Sequence, residues 1–301
     1  MSDIKLFNIE KEPIRELKSK SVALEKSLQT LIEKHLEDFL GIRFLASEYS
    51  TGAKHGGRID TLGLDENGCP VVIEYKRAVN ENVVMQGLFY LNWLMDHRGD
   101  FKLLVMDRLG NNVAESIVWG MPRLLCIAGD FTKYDEHAVQ QMGRNIELIR
   151  YRHYGELLLF ELVNAVNPQS SSDDTEIEVG KKKSYDKTVT EQLEQADQPT
   201  KDRFESIKAY LLALGDDVQM KTLKLYIAFK RIKNFACVQI QQKVITIYLK
   251  LDPDTIQLEE GFTRDVRKIG HWGTGELEVV VRSDEDLKKA EPLLTQAYEL
   301  N

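Results

Sequence analysis

The chain has 301 residues, 43% hydrophobic and 29% charged, ordinary proportions for a globular protein of two domains. Its net charge of −8 argues against a general, charge-driven affinity for nucleic acid, so any phosphate contact has to come from a local basic patch. No run approaches the roughly 18 uninterrupted apolar residues of a membrane span, and Met1-Ser2-Asp3-Ile4-Lys5 lacks the basic-then-apolar layout of a secretory signal. Cys69, Cys126 and Cys237 lie far apart with no C-x-x-C, which indicates neither a disulfide framework nor a thiolate zinc site and fits a reducing cytoplasm.

In chain order, Ser21 to Leu40 predicts an amphipathic helix, with Leu24, Leu28, Leu31, Ile32, His35, Leu36 and Phe39 at helical spacing and Gly41 as its stop. Ile42 to Tyr49 reads as a strand, and Ser50 to Gly57 as a polar loop. A hairpin follows, because Asn67-Gly68 sits between two apolar runs. If Glu66 to Gly68 form a three-residue loop, Asp65 pairs with Cys69. Counting outward, Asp60 then lies opposite Glu74 and Arg58 opposite Lys76, all on one face. Directly opposed Cβ atoms are about 5 Å apart, and two carboxylates at that separation repel by about 3 kcal/mol at an effective dielectric near 20. A sheet gains no stability from that arrangement, whereas a divalent cation between the acids relieves it. A solvated hairpin face would also carry such charges, but Val71-Val72-Ile73 is a continuous apolar run, as in a strand buried on both faces.

Beyond the hairpin, Asn80 to His97 predicts a second helix with Gln86 and Tyr90 one turn apart, and Phe101 to Met106 predicts a strand. Helix, three strands, helix, strand implies a mixed sheet with helices on its faces. Arg123 to Ala128 and Leu157 to Val163 read as further strands, with a helix over Tyr134 to Met142. Composition then turns polar, through Ser170-Ser171-Ser172-Asp173-Asp174 and Lys181-Lys182-Lys183, which reads as a linker over 166–199 between domains at 1–165 and 200–301. The last part predicts a helix from Lys201, strands at Leu223–Phe229, Phe235–Ile240, Val244–Leu251 and Leu277–Val281, and a closing helix over Glu285 to Tyr298. That is a small α+β domain. Arg264, Arg267, Lys268 and His271 are expected to share one helical face near Phe262 and Trp272.

Gly56-Gly57-Arg58-Ile59-Asp60, Val72-Ile73-Glu74-Tyr75-Lys76-Arg77 and Gln86-Gly87-Leu88-Phe89-Tyr90 together resemble the PD-(D/E)XK nuclease superfamily, closest to its RecB-like and NucS-like branches. The likeness covers roughly Leu24 to Val105. It implies a restriction-endonuclease-like mixed sheet flanked by helices (an αβββαβ core) in an α/β first domain, and a metal-dependent nuclease acting on nucleic acid, DNA favoured. On that resemblance Asp60 and Glu74 hold Mg²⁺ (or Mn²⁺), Tyr75 offers its backbone carbonyl, and Lys76 serves the attacking water. Gln86 and Tyr90 steady Lys76 or touch phosphate, and Glu25 completes the site, with Glu48 as the other acid in reach. Lys54, His55, Arg58 and Arg77 are the local cations for the phosphate backbone. Ile59 stands where the family name has proline. Such nucleases often dimerise, which leaves a homodimer open. The second half resembles a C-terminal domain of unknown function found behind such units. A rival reading keeps the fold as a nucleic-acid or protein binding module with slow or absent turnover.

Overall fold

A computed structural model describes residues 4–10, 13–18, 26–52, 55–76, 83–166 and 187–301. The chain divides into two compact units, Met1–Ser171 and Ser172–Asn301. No helix among the described residues is long and apolar enough to cross a membrane.

The first unit opens with a short antiparallel pair, β1 (Leu6–Asn8) and β2 (Arg15–Leu17). Helices α1 (Lys26–Lys34) and α2 (Leu36–Leu40) then lead into β3 (Ile42–Ser50), β4 (Arg58–Asp65) and β5 (Pro70–Lys76). Three helices follow, α3 (Val83–Asp96), α4 (Arg98–Leu109) and α5 (Asn111–Glu115), before β6 (Arg123–Ala128), α6 (Lys133–Gln141), β7 (Ile146–Tyr154) and β8 (Leu157–Val166). The six larger strands form one sheet in sequential order, antiparallel except for the parallel pairs β5–β6 and β6–β7. The expected αβββαβ order is therefore present, in a mixed sheet flanked by helices.

The hairpin register fixes the geometry of everything that follows. Thr61 pairs with Ile73, Leu62 with Val72, Gly63 with Val71 and Leu64 with Pro70. The loop closes through Asp65 N–H to the Cys69 carbonyl at 2.9 Å and Gly68 N–H to the Asp65 carbonyl at 3.0 Å. Gly68 takes φ +76°, a conformation glycine adopts without strain. Helices cover both faces. Gly63 leaves room for Ile42 and Leu36 on one side, and Gly87 of α3 lies against Leu124 on the other.

Several expectations are corrected. Phe101–Met106 is not a strand but the middle of α4, where Phe101 and Val105 are buried one helical turn apart. An apolar run of that length fits either element, and here the i, i+4 spacing decides. The helix over 21–40 breaks at His35, between α1 and α2, and its first five residues lie outside the described residues. β7 was not anticipated, because Glu147, Arg150 and Arg152 interrupt its apolar pattern.

The second unit contains α7 (Val189–Gln195), α8 (Gln198–Ala213), β9 (Gln219–Thr222), β10 (Ile227–Lys230), β11 (Asn234–Ile240), β12 (Ile245–Leu249), β13 (Thr263–Asp265), β14 (Leu277–Val281) and α9 (Asp284–Leu300). Its antiparallel sheet runs β13-β14-β12-β11-β10-β9. Phe204, Ile207 and Leu211 of α8 and Ala290, Leu294 and Ala297 of α9 share one core with Phe229, Val238, Ile247 and Val279 of that sheet. Helix α7 and the start of α8 occupy part of the expected linker, with capping by Thr188 and Asp197. The expected strand at Leu223–Phe229 is instead a turn between β9 and β10 and the first residues of β10. Arg264, Arg267, Lys268 and His271 share no helical face, since β13 ends at Asp265 and turns follow.

Candidate metal centre

Extending the hairpin register one step beyond Thr61 and Ile73 sets Asp60 opposite Glu74. Strand alternation puts both on the face that Leu62 and Val72 present to the core shared with α3. Glu74 is 1% exposed and Asp60 half-buried. Each carboxylate reaches the other's strand. The Asp60 amide donates to Glu74 Oε1 at 3.2 Å, and the Tyr75 amide donates to Asp60 Oδ2 at 3.0 Å. Gln86, on the exposed edge of α3, donates through Nε2 to Glu74 Oε2 at 2.9 Å. Glu74, buried at the end of an apolar strand, is costly to desolvate, and these hydrogen bonds help to hold the pair there.

Tyr90, one turn beyond Gln86, is 7% exposed. Its hydroxyl accepts from the Arg58 amide at 3.2 Å, so the ring fixes the start of β4. Gly57 makes this contact feasible, because a Cβ there would sit 2.7 Å from the Tyr90 hydroxyl. The loop before β4 is closed by Thr51, whose hydroxyl donates to the Gly57 carbonyl at 2.9 Å and accepts from the Gly57 amide at 3.0 Å. His55, exposed in that loop, lies 5.7 Å from the Phe89 ring and 5.8 Å from His97.

The other acids divide by position. Glu48 has a left-handed backbone (φ +50°), which for a non-glycine residue costs on the order of 1–3 kcal/mol. It pairs with Arg58 Nη1 at 2.8 Å. Glu33 of α1 was missed from sequence. It accepts from Thr61 Oγ1 at 2.6 Å, Ser47 Oγ at 2.9 Å and Gln29 Nε2 at 3.0 Å. Thr61 faces away from Asp60 by strand alternation, so Glu33 serves the opposite face of the sheet. The i, i+4 spacing of Gln29 and Glu33 on one helix was the available signal. Burial is the main force raising the Tyr75 hydroxyl above the ordinary tyrosine range, with the charges of Glu33, Asp60 and Glu74 adding to it. Glu25, Lys54 and Arg77 lie outside the described residues, as does the side chain of Lys76, the last residue of β5.

Carboxylate oxygens are the donors that Mg²⁺ and Mn²⁺ take, so the chemistry of Asp60 and Glu74 fits a hard divalent cation. Among the described residues no three His, Cys, Asp or Glu side chains converge as a metal-holding group.

Comparison with known proteins gives three results. A model described as a domain of unknown function (DUF5655) matches residues 189–301. An uncharacterized protein of Haemophilus influenzae is 30% identical over 303 residues, covering 98% of this chain and 99% of that protein. The solved structure of an EndoMS-dsDNA2 complex is 19% identical over 44% of this chain and 47% of that one, with a TM-score of 0.26. A score that low carries no weight for fold or chemistry.

Proposed function

The chain belongs to the same family as the Haemophilus influenzae protein that it matches nearly end to end, and from its own residues we propose a metal-dependent nuclease acting on DNA. The observation that carries this reading is the acid pair: Asp60 and Glu74 on paired strands, each accepting a backbone amide of the other's strand, with Gln86 on the remaining Glu74 oxygen. The sequence resemblance to PD-(D/E)XK nucleases supports it independently of that geometry.

In this reading Asp60 and Glu74 hold Mg²⁺ or Mn²⁺, with the Tyr75 carbonyl as a further oxygen donor. A bound divalent ion polarises a phosphodiester and lowers the pKa of a coordinated water. Gln86 fixes the rotamer of Glu74, and such supporting partners commonly change metal affinity or activity by about 10–100-fold. Lys76, two residues after Glu74, serves the attacking water and stabilises negative charge developing on the phosphate. Tyr90 holds the start of β4, and with it Asp60, in register. His55 and Arg58, exposed on and beside the loop, are the described groups suited to phosphate contact.

The test is hydrolysis of single-stranded, duplex and branched DNA and of RNA, by purified protein with Mg²⁺ or Mn²⁺. Cleavage abolished by chelator and by Glu74→Gln supports the proposal. Binding of DNA with no cleavage under any of these conditions returns the molecule to the binding-module reading.

A further inference from the structure

On the face of the second unit's sheet away from α8 and α9, one cross-strand row mixes charged residues with small and aromatic ones in continuous register. Lys221 pairs with Ala228, Ala228 with Cys237, Cys237 with Tyr248, Tyr248 with Glu278 and Glu278 with Arg264. A glycine-rich strap, 271–275, lies across it. His271 stacks on Tyr248 with centroids 4.2 Å apart and planes 10° apart. The Thr274 amide donates to Cys237 Sγ at 3.3 Å, and Asn234 Nδ2 donates to Thr274 Oγ1 at 3.3 Å. Gly273, at φ +88°, packs where a Cβ would meet Cys237 at 2.7 Å.

The consequence is a tryptophan in a fixed position that is not buried. Trp272 is 54% exposed, while Gln239 Nε2 donates to its carbonyl at 3.3 Å. Trp272 borders a groove of about 300 Å³ whose other described walls are Lys187, Gln192, Gln239, Gln241, Leu225 and Ile240. An adjoining hollow of about 340 Å³ shares Lys187, Gln192, Ile240 and Gln241 and adds Gln195 and Gln242. Amide side chains thus line most of a cleft that has an aromatic platform at one end and an ammonium along its wall. No described lining residue is acidic, in a chain where 48 acids outnumber 40 basic residues.

The geometry points to a binding site for single-stranded nucleic acid, with one unpaired base stacked on Trp272. Every base has a π-face that an exposed indole can receive. Unpaired bases also present their hydrogen-bonding edges, which the amides of Gln241 and Gln242 can match as donor and acceptor, while Gln192 and Gln239 donate to the carbonyls of Lys187 and Trp272 and Gln195 accepts from the Lys187 ammonium. Lys187 supplies the charge for the accompanying phosphate. A lysine beside an exposed aromatic favours this polyanion over a neutral oligosaccharide or a peptide. The site stands whether or not Asp60 and Glu74 cleave anything.

The experiment uses the full chain in EDTA, so that no hydrolysis intervenes, with oligothymidylate as the probe. Trp93 is buried and Trp119 half-buried, so stacking should quench emission chiefly from Trp272. Trp272→Ala should abolish that quenching and weaken binding about tenfold or more, and Trp272→Phe should retain most of the affinity. Duplex of the same length should bind more weakly than single strand. Unchanged affinity in Trp272→Ala, equal binding of duplex, or Trp272-dependent binding of an oligosaccharide or a proline-rich peptide in place of oligothymidylate would overturn the inference. Loss of cleavage in Glu74→Gln with the quenching intact separates this site from the acid pair.

Discussion

The backbone amide of Asp60 donates to the carboxylate of Glu74 at 3.2 Å, so an acid of one strand is bound by the main chain of its neighbour. The Tyr75 amide returns the bond to Asp60. The two acids are thereby built into the hairpin, and this separates the effect of charge from the effect of the hydrogen bond. In EDTA, Asp60→Asn keeps an acceptor for the Tyr75 amide while removing like-charge repulsion, so its melting temperature should equal or exceed that of the wild type. Asp60→Ala leaves the amide without this acceptor and should lose about 1 kcal/mol. Thermal unfolding of both variants checks the order. Added Mg²⁺ should then raise the melting temperature of the wild type and of neither variant.

Gly87 seats α3 against β6. A Cβ at this position would lie 2.4 Å from Leu124 Cδ1. Alanine in a helix interior gains about 1 kcal/mol over glycine, but overpacking a core costs about 1–3 kcal/mol. Gly87→Ala should therefore destabilise the protein. It should also lower any cleavage activity, because lifting α3 draws Gln86 away from Glu74. Urea unfolding combined with a nuclease assay reads both effects.

Arg123 is 3% exposed and bonds three ways, with Nε to Glu147 Oε1 at 3.1 Å, Nη2 to Glu147 Oε2 at 2.8 Å and Nη1 to Asp65 Oδ2 at 2.9 Å. Burial alone would lower its pKa, but the two carboxylates outweigh that and raise it. Asp65 Oδ1 also accepts from the Asn67 and Cys69 amides and so shapes the turn of the hairpin. Arg123→Ala strands two buried carboxylates and should cost about 3–5 kcal/mol, measured by chemical denaturation.

Arg267 donates to both Asp254 and Asp265, and these bonds are the first cause holding each carboxyl below its ordinary value. A depressed folded-state pKa contributes stability that is present above the unfolded aspartate value, about 3.9. That stability is lost as pH falls through the lower folded values. Arg267→Gln should therefore destabilise the second unit at neutral pH, with the difference from wild type vanishing in acid below both folded values. Melting temperatures across that range test the sign.

Much of the first unit was legible because its signals are local. Asn67-Gly68 between apolar runs set the hairpin, and strand alternation then fixed Asp60 against Glu74 without any tertiary information. Where the reading failed, a buried charge or an ambiguous apolar run was responsible. Strand β7 escaped because Glu147 and Arg150, polar in sequence, are buried by pairing with Arg123 and with Asp130 and Glu161. Glu33 escaped because its partners Thr61 and Ser47 come from strands distant in sequence. The basic face expected around Arg267 failed for a similar reason. Helical spacing was assumed where Asp252, Asp254 and Asp265 instead hold that guanidinium in a turn.

The proposed nuclease requires Asp60 and Glu74 to act together as ligands of one divalent cation. Calorimetric titration of the intact protein with Mn²⁺ tests this most directly. Saturable binding in the wild type, lost in both Asp60→Asn and Glu74→Gln while each variant stays folded, is the predicted result. Undiminished Mn²⁺ binding in both variants, or none in the wild type, would contradict it.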